Sequence, residues 1–273
     1  MKLKNVIAVY VMGLIGILFI APFIFMTLAS FKKEAEVMKP DAILPKAWDM
    51  GNYQSVLQNS VEAPVGLWFM NSIFIASATT LLVVACSSLA AFAIARIKIK
   101  GSRLLLNFIV GTMMLPAQLF LIPLYVILSR MHLLNTPYSM ILPAAAGGFG
   151  VFMLTQFMRS LPAAIEEAAL IDGCSLPQVF WKVTLPLCGP SIATLSVFTF
   201  IASWNDYITP LVFMESVTNY TLPVGIALFQ SSYSTQYGLT IATSLLSTLP
   251  LLIMFLVFQK QIIESMSSSG LKD

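Results

Sequence analysis

Six apolar runs separated by short polar stretches set the plan of this chain. They occupy positions 6–31, 67–95, 104–129, 138–158, 191–213 and 239–258. A helix needs about 20 mainly apolar residues to cross the hydrocarbon core of a bilayer, where it satisfies its backbone N–H and C=O groups internally. The pattern therefore predicts an all-α polytopic membrane protein with six transmembrane helices. The first run follows Lys2 and Lys4, as in a signal peptide. Its apolar length exceeds the usual ~7–15 residues, and Ala29-Ser30-Phe31-Lys32-Lys33 is a poor cleavage site. It is expected to remain as a span that also directs insertion.

Prolines interrupt several runs: Pro22, Pro116 and Pro123, Pro143, Pro210 and Pro250. Two readings stay open. Proline is common in membrane helices and kinks them without further consequence, or the broken helices lie beside a water-filled path where freed carbonyls meet solvent or substrate. The run AAAGGFG at 144–150 is made of small residues that let helix backbones approach closely.

Composition agrees with the pattern. Of 273 residues, 58% are hydrophobic and only 10% charged, against about 25% charged in an ordinary globular domain; the mean hydropathy is +0.86. The net charge of +3 is small and falls in short clusters, which gives no nucleic-acid footprint. Cys86, Cys174 and Cys188 have no metal-ligand spacing and read as small packing residues, and the single His132 reads as an interfacial loop residue. No metal site or resident cofactor is expected.

The basic residues orient the spans. With the amino terminus cytoplasmic, ten of the fifteen Lys and Arg residues fall inside, four of them in RIKIKGSR at 96–103. Four of the outer five lie at 32–66 among Glu34, Glu36, Asp41, Asp49 and Glu62. Both termini are thus expected to face the cytoplasm.

The inner loop 159–190 is the polar exception, and it is patterned as a helical hairpin. Ser160 is placed as an N-cap, Pro162 as an early helix proline, and Glu166 and Glu167 near the positive end of the helix dipole. A helix over 162–172 follows, on which Ile165, Ala168, Ala169 and Asp172 share one face. The two alanines make that face shallow, so that another surface can sit close. Gly173 ends the helix where positive φ costs little, and Ser175 with Pro177 starts a second helix that must stop near Pro186.

The residues of this hairpin carry a resemblance. Glu167-Ala168-Ala169, three residues, Gly173, nine residues, then Val183-Thr184-Leu185-Pro186 resembles the EAA loop of ABC importer permeases, with valine for the usual isoleucine. SLPAAIEEAALIDG, SWNDYITPLVF at 203–213 and NSIFIASATT at 71–80 are similar to the carbohydrate-uptake subgroup, particularly the second permease of maltose-type importers. The end FQKQIIESMSSSGLKD departs from that subgroup's basic, glycine-rich ending. The resemblance covers essentially the whole chain and implies a single permease domain of the type I ABC importer fold in a bacterial plasma membrane.

The resemblance also implies partners: a second, different permease subunit, two ABC ATPase subunits that carry ATP and magnesium, and an extracellular or periplasmic solute-binding protein. On the matching positions, Glu166, Glu167, Ala168, Ala169, Asp172, Gly173, Leu185 and Pro186 are the expected ATPase-coupling residues. The chain has no GxxxxGK(S/T) phosphate loop; it is expected to be a non-catalytic subunit, with hydrolysis on the ATPase.

Two further groups are substrate-side candidates. Trp204, Asn205, Asp206 and Tyr207 lie near the outer half of the fifth span. An ionisable residue there should face protein, water or substrate, while rings and amides suit sugars; the alternative is interface anchoring by the aromatics and interhelical hydrogen bonding by Asn205 and Asp206. In the outer loop 215–238, Gln230, Ser231 and Tyr233 are candidates for contact with the binding protein, the alternative being a loop over the pore mouth.

The expected cargo is a sugar, either a di- or an oligosaccharide. Glycerol 3-phosphate, a glycerol phosphodiester or a polyol are alternatives within the same class. A phosphorylated cargo would want Arg or Lys in the cavity, and these spans hold none at mid-membrane. An ion-driven secondary transporter is disfavoured because nearly every acidic residue lies in a loop, Asp206 excepted. An intramembrane enzyme is disfavoured because there is one histidine, no HExxH and no paired intramembrane aspartates.

Overall fold

The computed structural model describes residues 3–39, 43–58, 63–97, 99–231 and 234–270. It is built almost wholly of helices. In chain order they are α1 (Leu3–Ser30), α2 (Glu34–Val37), α3 (Gly51–Leu57), α4 (Val65–Arg96), α5 (Ser102–Met113), α6 (Leu121–Arg130), α7 (Tyr138–Ala144) and α8 (Gly148–Ser160). There follow α9 (Ala163–Ile171), α10 (Leu176–Val179), α11 (Leu185–Leu187), α12 (Gly189–Trp204), α13 (Ile208–Phe213), α14 (Leu222–Leu228) and α15 (Tyr237–Gly270). Two two-residue strands, β1 (Gln230–Ser231) and β2 (Ser234–Thr235), pair antiparallel with Gln230 opposite Thr235.

Among the described residues, four helical stretches are long and apolar enough to cross a membrane: Val9–Ser30, Val65–Arg96, Tyr138–Ser160 and Tyr237–Lys260. Two of the expected straight spans are broken instead. Ser102–Met113 and Ala117–Arg130 meet at 92°. Pro116 accounts for the break: it lacks an N–H, and its ring pushes the preceding residue away from helical backbone. The fifth run ends its helix at Trp204 and resumes at Ile208, so α12 is only 16 residues long; at its N-terminal end it meets Leu176–Leu187 at 75°. Counting each bent pair as one span gives six.

The chain forms two compact units. In the first, residues 1–69 with 221–250, α1 is apolar all round, and most of its large side chains from Val9 to Phe25 are exposed. A helix of that kind needs lipid or protein around it, not water. The C-terminal end of α1 is tied by short polar contacts: Ser30 Oγ lies 2.7 Å from the Tyr53 hydroxyl, and Asn52 Nδ2 donates to the Ser30 and Lys32 carbonyls, both at 2.9 Å. Glu34 accepts the N–H groups of Tyr237 and Gly238, each at 2.8 Å, and so caps α15 with a negative charge at the positive end of its dipole. Fully buried Trp68 presses on Gly225, where an added Cβ would stand 2.0 Å from the indole.

In the second unit, residues 70–220 with 251–273, α4 packs against α8 and α12 through Ala91, Phe92, Leu154, Met158 and Leu195. Gly150 makes that approach close: a Cβ there would lie 2.4 Å from Ser87 Oγ. A smaller cluster of Ile75, Met140, Ile141 and Met214 holds the other end. There Asn135, at φ 57°, accepts the N–H groups of Glu215 and Ser216 and the amide of Asn219, while its own Nδ2 donates to Ser216 Oγ at 2.8 Å. Asparagine tolerates this left-handed backbone better than most residues, and its amide pins one connecting loop onto another.

Candidate functional site

The helical hairpin over 159–190 is the most chemically distinctive part of the second unit. Its first helix, α9, ends as glycine allows: Gly173 takes φ 88°, and the Gly173 and Cys174 N–H groups close onto the Leu170 and Ala169 carbonyls. The second helix opens with Gln178 Oε1 accepting the Ser175 N–H at 2.8 Å, half of a capping box. Ser160 does not cap α9; its hydroxyl donates to the Phe157 carbonyl and finishes α8, and Pro162 holds the N-cap position. Beyond α10 the backbone widens into a π-turn over Phe180–Thr184. Pro186 explains the widening, because it cannot donate to the carbonyl four residues back and its ring crowds it.

The hairpin is seated on the membrane helices by apolar packing. Phe180 is buried against Phe92 of α4 with ring centroids 5.1 Å apart, beside Met158 and Cys188. What it leaves outward is the expected shallow face. Glu167, Ala168, Asp172 and Gly173 are exposed, Ala169 is half-buried, and Ile171, 86% exposed, stands at the tip near exposed Leu176 and Trp181. Leu185 is half-buried and Pro186 exposed. A small-residue face with apolar neighbours and two exposed carboxylates, Glu167 and Asp172, is suited to docking in a cleft that offers a cation.

Glu166 departs from its neighbours. Its carboxylate is turned inward and does not present itself at the outer face. Oε2 lies 2.7 Å from Nε of Arg96, the last residue of α4, and Oε1 accepts the Thr184 hydroxyl at 2.9 Å. The Nε–H is not aligned on the oxygen, so this contact is charge attraction more than a directed hydrogen bond. Arg96 Nη2 also donates to the Met158 and Leu161 carbonyls at the end of α8, at 2.5 and 3.1 Å. Both side chains are nearly buried, at 14% and 11% exposure. Loss of one partner of such a pair leaves a buried charge and costs about 3–5 kcal/mol. Nearby Cys188, in the hairpin segment ahead of α12, is fully buried; desolvation first, then Glu166, push its thiol up to about 11, with Arg96 opposing. Arg96 and Thr184 were not among the sequence-predicted site residues. Arg96 entered only as a topogenic charge, and Thr184 as a variable position of the motif.

Higher in the same unit lies a cavity of about 490 Å3 lined by residues that include Thr79, Val83, Phe149, Gly150, Phe198, Thr199, Ser203 and Asp206. Of the four candidates at 204–207, only Asp206 lines it. Asp206 Oδ1 accepts the Thr209 N–H at 3.2 Å and caps the restart of the chain into α13. Trp204 is instead a packing residue, 2% exposed and stacked on Phe200 at 5.9 Å, because helical spacing turns position 204 to the same side as 200. Asn205 and Tyr207 are exposed outside the cavity lining. Of the outer-loop candidates, Gln230 is exposed in β1, Ser231 follows it in that strand, and Tyr233 lies outside the described residues.

Comparison with known proteins agrees with this arrangement. A putative ABC transporter permease protein, ORF2, of Caldicellulosiruptor sp. (strain Rt8B.4) is 34% identical over 254 residues, covering 92% of this chain and 91% of that one. The trehalose/maltose transport system permease protein MalG of Thermococcus litoralis is 33% identical over 274 residues, covering 99% and 98%. The arabinooligosaccharides transport system permease protein AraQ of Halalkalibacterium halodurans is 31% identical over 269 residues, covering 94% and 95%. A chain from the crystal structure of a bacterial ABC transporter involved in the import of the acidic polysaccharide alginate shares the fold, with a TM-score of 0.82 and 24% identity over 96% of this chain and 97% of that chain. Residues 83–264, which hold α8 to α13 and the whole hairpin, match the family described as the binding-protein-dependent transport system inner membrane component, and the chain belongs to that family.

Proposed function

We propose that this chain is a permease subunit of an ATP-driven, binding-protein-dependent importer for a neutral di- or oligosaccharide. The observation that carries the reading is the outward face of the hairpin. Glu167, Ala168, Asp172 and Gly173 are exposed on and just after a helix short enough to enter a cleft, while buried Phe180 seats the hairpin on α4 and α8. In this reading two ATPase subunits bind ATP and magnesium, and one of them receives that face. The chain itself catalyses no reaction. A second, different permease completes the translocation path, and an extracellular or periplasmic solute-binding protein delivers cargo to the outer side, which Gln230, Ser231 and Tyr233 serve. The protein lies in a bacterial plasma membrane with both termini in the cytoplasm, as the basic stretch 96–103 supports.

The choice of a neutral sugar rests on the cavity and on the relatives. Hydroxyls of Thr199 and Ser203 with the rings of Phe149 and Phe198 suit a polyhydroxylated cargo, and among the described residues no Lys or Arg lines the space to receive a phosphate or a uronate. Two of the relatives are named for neutral oligosaccharides or disaccharides. The test is ATP hydrolysis by the purified complex in nanodiscs, with its binding protein and a cargo panel of maltose, trehalose, arabinooligosaccharides, an alginate oligomer and glycerol 3-phosphate. Stimulation by a neutral sugar supports the reading. Stimulation confined to the anionic cargoes would replace it with the phosphate or acidic-saccharide alternative.

A further inference from the structure

We infer that Arg96, Glu166 and Thr184 form a rigid joint that makes the hairpin and the inner ends of α4 and α8 move as one body. The inference rests on the reading of the hairpin as the ATPase-receiving element, and it assigns these three as positioning residues within the chain. They do not contact the ATPase.

Four observations converge on the joint. One guanidinium bridges three elements: it belongs to the last turn of α4, it donates to the Met158 and Leu161 carbonyls at the end of α8, the first of which also accepts the Leu161 N–H, and it faces the carboxylate in the first turn of α9. Each contact also suits the dipoles, with the cation at two helix C-termini and the anion at an N-terminus. Second, Glu166 passes the connection on through Thr184 to the π-turn, so both arms of the hairpin are held by one carboxylate. Third, the joint is largely enclosed, with Glu166 and Thr184 buried and Cys188 fully enclosed beside it. A nearly buried charge pair has no cheap half-open state, because parting it strands a charge in apolar surroundings. Fourth, the apolar cluster of Phe92, Met158, Phe180 and Cys188 backs it from the membrane side. The outer face of the same hairpin carries no such ties. A force applied there is passed to the two helices without slack in the joint.

The test uses spin labels on Ile97→Cys and Lys182→Cys, both exposed positions on either side of the joint, in a Cys86→Ser, Cys174→Ser background of the intact complex. Distances are read by pulsed electron resonance without nucleotide and after trapping with ATP and vanadate. The parent should give one narrow distance that is the same in both states. Thr184→Val, close to isosteric, and Arg96→Gln should broaden the nucleotide-free distribution about twofold or more and make the distance nucleotide-dependent, as the hairpin follows the ATPase and α4 lags. Thr184→Ser, which keeps the hydroxyl, should restore the parent behaviour. A parent distance that shifts between states by more than about 5 Å, one helical turn, overturns the rigid joint. An unbroadened, nucleotide-independent distance in Thr184→Val and Arg96→Gln overturns the role of these residues. Failure of the hairpin reading looks different: the complex would lack an ATPase, while the nucleotide-free widths would still decide the joint.

Discussion

Gly150 offers the most quantitative check on how the membrane helices meet. A Cβ at that position would stand 2.4 Å from Ser87 Oγ, 3.0 Å from Ser87 Cβ and 3.1 Å from Leu195 Cδ2. Carbon and oxygen in loose contact prefer about 3.3–3.6 Å, so Gly150→Ala must turn the Ser87 hydroxyl aside and still ease α8 from Ser87 Cβ and Leu195 by a few tenths of an ångström. Overpacking of that size costs about 1–3 kcal/mol. Alanine also gains helix propensity over glycine, by about 0.5–1 kcal/mol, which partly hides the clash. Gly111→Ala supplies the reference, because a Cβ there meets nothing within 4 Å. The difference between the two alanine variants then isolates the steric cost, expected at about 1–3 kcal/mol against Gly150→Ala. Ser87→Gly in the Gly150→Ala background should recover most of it. Ser87→Ala alone should be neutral or stabilising, since its buried hydroxyl has no hydrogen-bond partner in the structure. Equilibrium denaturation in mixed detergent micelles measures all of these. Equal stability of the Gly150→Ala and Gly111→Ala variants, or no rescue by Ser87→Gly, would refute the close approach.

Glu34→Gln should weaken the cap on α15 by about 0.5–2 kcal/mol, read in the same denaturation assay; no change would mean the carboxylate's two N–H bonds are replaced by water at no cost. Glu167→Lys should leave stability within about 0.5 kcal/mol of the parent, as an exposed substitution does, yet abolish recovery of ATPase with the tagged chain; undiminished recovery contradicts the docking face. Gly173→Ala should cost about 1–2 kcal/mol through the left-handed backbone at φ 88°, measured by denaturation. Cys188 is fully buried and desolvation pushes its thiol up to about 11, so it holds its proton at neutral pH and should resist alkylation as long as the fold stays closed. At pH 8 its thiolate fraction is roughly a hundredfold below that of an ordinary thiol, and half-buried Cys174 should react first in mass-spectrometric footprinting.

What the sequence made legible was local. The apolar runs needed only length and composition, and the hairpin needed a motif, a glycine and two prolines acting on neighbouring backbone. The small-residue run that includes Gly150 announced a close helix contact, though not that Ser87 would be the other side of it. Features that depend on distant parts of the chain were not readable. Glu166 and Glu167 are adjacent and chemically identical, yet one is buried against Arg96 and Thr184 and the other exposed. That distinction follows from which side of α9 meets α4, a matter of tertiary packing. The same holds for Trp204, where an aromatic beside polar residues suggested a site and helical phase placed it against Phe200. The breaks at 114–116 and 205–207 had partial signals. Pro116 marked the first, but prolines at 22 and 250 sit inside helices that continue through them, so proline alone does not say where a span breaks.

An importer subunit that works through its inner hairpin is driven by an ATPase bound to it. The measurement that tests it most directly is the composition of the native complex: the chain is tagged, extracted gently from its own membrane and analysed by quantitative mass spectrometry. A second polytopic permease and an ABC ATPase should be recovered in amounts comparable to the tagged chain. A stable complex that takes up its cargo and contains no ATPase would contradict that coupling and bring the ion-driven alternative forward.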